Sequence, residues 1–228
     1  MKKTIGIIGG ISPASTIKYY EKIVDLYYEK NKDYYYPEIK IHSLDFQYFT
    51  DLENNQQTED YIDYISNSIY SLEKSGVDVI IMAANSPHSV FNQVAFHANV
   101  PMISIVEETV KNALKYNLKN VLLTGINYTM KSTFYTDIFE KNGIKLLVPS
   151  DQEQDEINTI IFDELVINKI TDQSRQRILE IINKYPIDGV ILGCTELPLL
   201  IHQETCPVRV LDTMTLHVEA VLNFLESH

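Results

Sequence analysis

The chain has 228 residues and a formal net charge of −12, with 45% hydrophobic and 22% charged residues. This is an ordinary globular composition, and the length suffices to bury a full core without disulfides or metals. The acidic balance leaves no basic footprint for nucleic acid and opposes binding to an anionic membrane surface.

The N-terminal Met1-Lys2-Lys3-Thr4 leads straight into an apolar strand pattern. No apolar run reaches the ~18 residues of a membrane span. The two cysteines, Cys194 and Cys206, show no metal-ligand spacing. Together these features predict a cytoplasmic protein with free thiols.

In chain order, Thr4–Ile8 reads as a buried strand ending in Gly9-Gly10, and Ser15–Glu29 as a helix with apolar residues three and four apart. Ile39–Leu44 is a second strand. Thr58 is the expected N-cap of a helix reaching Lys74, which Gly76 ends. Val77–Met82 is a third strand, apolar throughout, as in parallel sheets covered on both faces. A short helix over Val90–Ala98 and a short strand over Pro101–Ile105 follow.

The second half repeats the rhythm. Strands are expected over Val121–Thr124, Ile144–Val148, Asp188–Gly193 and Val208–Leu211. Helices are expected over Met130–Lys141, Gln154–Ile167, Asp172–Tyr185 and Thr213–Leu225. Strands alternating with helices predict an α/β fold of parallel βαβ units. The aromatic stretch Tyr34-Tyr35-Tyr36, with Tyr19, Tyr20, Tyr27 and Tyr28 nearby, offers a packed loop or a dimer surface.

The halves echo each other. VDVIIMAANS (Val77 to Ser86) matches IDGVILGCTE (Ile187 to Glu196) at a constant offset of 110, pairing Asp78 with Asp188 and Ala84 with Cys194. A weaker echo pairs TIGIIGG (Thr4 to Gly10) with NVLLTGI (Asn120 to Ile126). Ligands of open α/β sheets bind at the carboxyl ends of strands, so the Ala84–Ser86 and Cys194–Glu196 loops are expected to flank one cleft.

Three segments carry a resemblance: IGIIGGISPAST (Ile5 to Thr16), AANSPH (Ala83 to His88) and GCTELPLL (Gly193 to Leu200), with DTMTLH (Asp212 to His217) also fitting. The chain resembles the aspartate/glutamate racemases, which act without a cofactor. The resemblance implies two pseudo-symmetric α/β lobes with parallel sheets flanked by helices, an active site in the cleft between them, and a homodimer. The lobes are expected over 1–100 plus 212–228 and over 101–211. It further implies a small-molecule carboxylate or amino-acid substrate such as aspartate or glutamate. Two thiols on opposite sides of the substrate would move the α-proton.

Cys194 is the thiol expected to act, activated by backbone donors where Thr195-Glu196 opens a helix. Ala84 stands where the first thiol belongs, and alanine neither accepts nor donates a proton. The Ile11-Ser12-Pro13 loop and Ile126 also depart from the family's commoner residues. Gly10 and Ile11 are candidates for backbone approach to a carboxylate, or for a tight turn alone. Asn85, Ser86, Thr129 and Thr195 bind carboxylates or cap helices. Glu196 orients a partner or favours a helix dipole. His88 and His217 shuttle protons or satisfy hydrogen bonds. Lys169 is a candidate for the substrate's side-chain carboxylate, and Asp45-Phe46-Gln47 offers no arginine. Three functions remain open: a pyridoxal-phosphate-independent racemase-like isomerase, a decarboxylase that needs only one cysteine, and a non-catalytic carboxylate-binding protein.

Overall fold

The structure is a computed structural model that describes residues 3–227, leaving Met1, Lys2 and His228 outside it. The chain forms two compact units, one of residues 1–104 and 217–228, the other of residues 105–216.

The first unit holds a three-stranded parallel sheet in the order β2-β1-β3, built from β1 (Thr4–Gly9), β2 (Glu38–Ser43) and β3 (Val79–Met82). Every residue of β1 and β3 is buried, as the unbroken apolar runs require, whereas edge strand β2 is largely open to solvent. Helix α1 (Pro13–Asn31) starts where the Ser12 side chain accepts from the Ser15 amide, with Pro13 in the first turn, and stops at Lys32 in the left-handed region. Helix α2 (Phe46–Asn54) is capped by Asp45, whose carboxylate accepts from the Tyr48 amide at 3.1 Å. Helix α3 (Thr58–Lys74) buries Tyr61, Ile65, Ile69 and Leu72 in a stripe against the core. Its N-cap is Gln57 rather than Thr58, and no side chain caps it.

After β3 the expected helix over Val90–Ala98 divides into a 3-10 turn, Ser86–Val90, and helix α4 (Phe91–Phe96). The expected strand over Pro101–Ile105 reduces to one parallel bridge, Ile80 with Met102. Pro101 has no amide proton to give a ladder, and the chain turns into helix α5 (Ile105–Lys115) four residues later.

The second unit has a four-stranded parallel sheet, β5-β4-β6-β7, from β4 (Asn120–Gly125), β5 (Lys145–Leu147), β6 (Gly189–Gly193) and β7 (Arg209–Asp212). The single helix expected over Met130–Lys141 is two, α6 (Asn127–Lys131) and α7 (Phe134–Lys141), broken where Ser132 adopts an extended backbone. Helix α8 (Asp151–Asp163) opens with a capping box between Ser150 and Glu153. Lys184, Tyr185 and Ser150 hold the Glu153 carboxyl well below its ordinary value, at about 2. Helix α9 (Asp172–Asn183) follows a short 3-10 turn, Leu165–Ile167. Helix α10 (Thr213–Ser227) begins in the second unit, and from His217 onward belongs to the first.

The echo between the halves has a physical counterpart. Asp78 accepts from the Thr4 amide at 2.7 Å and returns its own amide to the Thr4 carbonyl at 2.9 Å. Asp188 accepts from the Asn120 and Lys119 amides at 2.9 and 2.8 Å and returns its amide to the Asn120 carbonyl at 2.8 Å. In each unit one aspartate therefore clips the amino end of the first strand to the strand that carries the candidate chemistry.

Candidate active site

In the first unit the carboxyl ends of β1 and β3 lie side by side, with Ile8 opposite Met82. The Ala83 amide donates to the Ile8 carbonyl at 2.9 Å, and the Ser15 hydroxyl donates to the Ala83 carbonyl at 2.7 Å. These bonds fix the backbone that leads into Ala84, Asn85 and Ser86, all three buried. Asn85 sits at the start of the 3-10 turn, yet its side chain does not cap it.

Gly10 has φ +84°, and a Cβ there would stand 2.4 Å from the Leu44 carbonyl oxygen. Its amide donates to Thr16 Oγ1 at 2.8 Å. The Gly10 N–H thus bonds within the turn. Ile11 turns its side chain into the core of the same unit.

His88 Nδ1 lies 3.0 Å from the Ala84 carbonyl, so it donates there, and the ring stacks on Phe91. His217 Nε2 donates to the Ile103 carbonyl at 2.8 Å, and its Nδ1 accepts from Tyr19. Both rings are buried and meet edge to face. Desolvation, with the neighbouring ring second, pushes His88 well below its usual value. Desolvation brings His217 to about 4. Both histidines are neutral hydrogen-bonding braces at neutral pH.

In the second unit β6 ends beside β4, Gly193 opposite Gly125. The close approach requires glycine, because a Cβ at Gly193 would stand 2.7 Å from the Thr124 carbonyl oxygen and 3.3 Å from the Thr129 methyl. Thr129 is fully buried, and its hydroxyl has no hydrogen-bond partner. A buried hydroxyl without a partner costs free energy until something meets it.

Cys194 follows Gly193 and is partly exposed, with a free thiol. Its Sγ donates to Glu196 Oε2 at 3.0 Å, and the Thr195 hydroxyl donates to the same oxygen at 2.7 Å. Glu196 is buried. The expected helix N-terminus is absent: only a three-residue 3-10 turn, Leu197–Leu199, follows. So short a turn has no long aligned run of amides, and the Glu196 carboxylate faces the thiol. Thr195, expected to bind ligand, commits its proton to Glu196. Cys206 packs in the core of the second unit, where burial raises its thiol.

Lys169 is exposed in the turn after residues 165–167. The chain's three arginines all lie in the second unit and are engaged: Arg175 with Asp172, Arg177 with Glu156, and Arg209 over the Tyr116 ring at 3.8 Å. Among the described residues no group of three or more His, Cys, Asp or Glu could hold a metal ion, and no helix is long and apolar enough to cross a membrane.

Parallel βαβ units with a thiol–carboxylate pair at a strand's carboxyl end define an α/β protein of the kind whose site lies where its strands end. Residues 8–221 match the model of the Asp/Glu/Hydantoin racemase family, and the chain belongs to that family. It is 40% identical to an aspartate racemase homologue of known structure from Pyrococcus horikoshii OT3, covering 99% of this chain and 100% of that one at a TM-score of 0.90. An aspartate racemase from Picrophilus torridus is 28% identical over 98% of this chain and 94% of its own, with a TM-score of 0.79. The broad specificity amino-acid racemase RacX of Bacillus subtilis is 27% identical over 216 residues, covering 92% of each chain.

Proposed function

We propose that the chain is a pyridoxal-phosphate-independent, racemase-like isomerase acting on an acidic amino acid such as aspartate or glutamate, with Cys194 serving one face of the α-carbon. The observation that carries this is the 3.0 Å contact between Cys194 Sγ and the buried Glu196 carboxylate. The carboxylate orients the S–H, stands ready to take its proton and leaves a thiolate, the form that abstracts an α-proton. The reverse transfer returns a thiol that protonates the carbanion. Thr129, whose buried hydroxyl lacks a partner, and Asn85 are the side chains assigned to the substrate's carboxylates. Free thiols fit a cytoplasmic enzyme.

Ala84 supports a second reading. One thiol suffices for a decarboxylase, which protonates its carbanion from one face only. A non-catalytic carboxylate-binding protein is the remaining outcome.

The test is proton NMR in D₂O with L- and D-aspartate and L- and D-glutamate, with Cys194→Ser as control. Loss of the α-proton signal that depends on Cys194 is expected. No exchange with any of the four would sink the isomerase reading and turn attention to decarboxylation.

A further inference from the structure

The second sheet ends in β7, which among the described residues has one strand neighbour, β6. Arg209 faces that neighbour, its amide donating to the Asp188 carbonyl at 3.1 Å. Peptide groups alternate in direction along a strand, so the Val208 carbonyl and the Val210 amide point the other way, out of the sheet's edge. Outward groups of this kind are a template for another strand.

Gln203 meets both of them. Its Nε2 donates to the Val208 carbonyl at 3.0 Å, and its Oε1 accepts from the Val210 amide at 3.0 Å. A residue of an added parallel strand would make the same pair of bonds, one from its amide and one to its carbonyl. The carboxamide thus stands where a neighbouring strand's peptide groups would stand. The turn that carries it is tied to itself: the amides of Thr205 and Cys206 both donate to the His202 carbonyl at 3.1 Å, as does the Thr205 hydroxyl.

The other edges are protected differently. Strand β5 is three residues long, opens with an exposed lysine, Lys145, and is soon followed by Pro149. Strand β2 carries the charged Glu38 and Lys40. Strand β3 is covered by residues 101–103, Ile80 donating to the Pro101 carbonyl at 2.9 Å and accepting from the Ile103 amide at 3.2 Å. In β7 the charged side chains are engaged elsewhere. Arg209 lies over the Tyr116 ring, and Asp212 accepts from the Thr215 amide and hydroxyl.

We propose that the Gln203 side chain is a built-in guard on the edge of β7, which keeps the second sheet from adding a strand of another copy of this chain. An incoming strand finds its first rung already filled from within. The guard needs no substrate and acts whether or not Cys194 turns anything over.

The test is light scattering over a concentration series, with amide exchange followed by NMR. Gln203→Ala is expected to speed exchange of the Val210 amide about tenfold and to form particles of about twice the wild-type mass or more, growing with concentration. Val210→Pro removes the outward donor without costing β6 a rung, because Val210 faces away from it. The double variant Gln203→Ala/Val210→Pro is therefore expected to return to the wild-type mass. Gln203→Lys loses the carboxamide but sets a charge at the edge, and should exchange as fast as Gln203→Ala while keeping the wild-type mass. A Gln203→Ala protein that holds the wild-type mass at every concentration, unchanged exchange at Val210, or a double variant that still associates would overturn the proposal. So would loss of protection at Ile191 and Leu192 of β6 in Gln203→Ala, since the carboxamide would then be holding the sheet together rather than guarding its edge.

Discussion

The Tyr19 hydroxyl donates to His217 Nδ1 at 3.0 Å, joining residues 198 positions apart in one buried contact. That contact needs an unprotonated Nδ1, and the Ile103 carbonyl claims the proton on Nε2. A second proton would have to displace the tyrosine's. Because the folded value of His217 is lowered to about 4, the unfolded chain takes up its proton first as pH falls. Stability is therefore expected to be full above about pH 6.5 and to drain away towards pH 4, by on the order of 3 kcal/mol from this residue alone. His88 adds to the loss in the same direction. Urea unfolding between pH 7.5 and 4.5 measures it, and a His217→Gln variant should show a lower plateau with a shallower slope.

Glu196 is expected to matter through its charge. Glu196→Gln keeps an oxygen near Cys194 but cannot take its proton. Exchange of the substrate α-proton should fall by about 10²-fold, with a shifted pH profile and little change in melting temperature. Unchanged exchange would show that Cys194 loses its proton elsewhere.

Ala84 offers a gain-of-function experiment. Ala84→Cys returns a thiol to the position the rest of the family motif prepares. With the second group restored, chiral analysis should show inverted product forming at least tenfold faster, while Cys194-dependent exchange changes less. Equal rates of inversion before and after would mean that another group already serves that face.

Gly10 is expected to be intolerant of any side chain. Gly10→Ala must hold φ near +84° and push a methyl against the Leu44 backbone. A destabilisation of about 2–4 kcal/mol is expected, read as a drop in melting temperature.

The tyrosine surface should bring two copies together. Tyr34 and Tyr35 are 77% and 70% exposed, and Tyr34 stacks on Tyr28 at 5.5 Å. So much exposed aromatic surface is characteristic of contact patches. Light scattering is expected to give twice the mass of one chain, and Tyr35→Lys to lower it.

The strands were legible because β1, β3 and β6 are buried along their whole length and β4 beyond its first residue, and a continuous apolar run has little else to be. Cys194 was legible from GCTELPLL. What surrounds it was not. Glu196 followed a supposed helix start, and its approach to the sulfur depends on a turn too short to show a periodicity. Helix α2 hid in an aromatic stretch, although Asp45 ahead of Phe46, and Phe49 and Leu52 three apart, were its signals. Thr195 was singled out for its hydroxyl, but a residue name does not say that the proton points to Glu196.

The first unit is interrupted in sequence: its opening hundred residues are completed by the segment from His217 onward. During synthesis on a ribosome the order of folding is therefore inverted. Tyr19 cannot find His217 until the whole continuous stretch from Ile105 to Leu216 has been made.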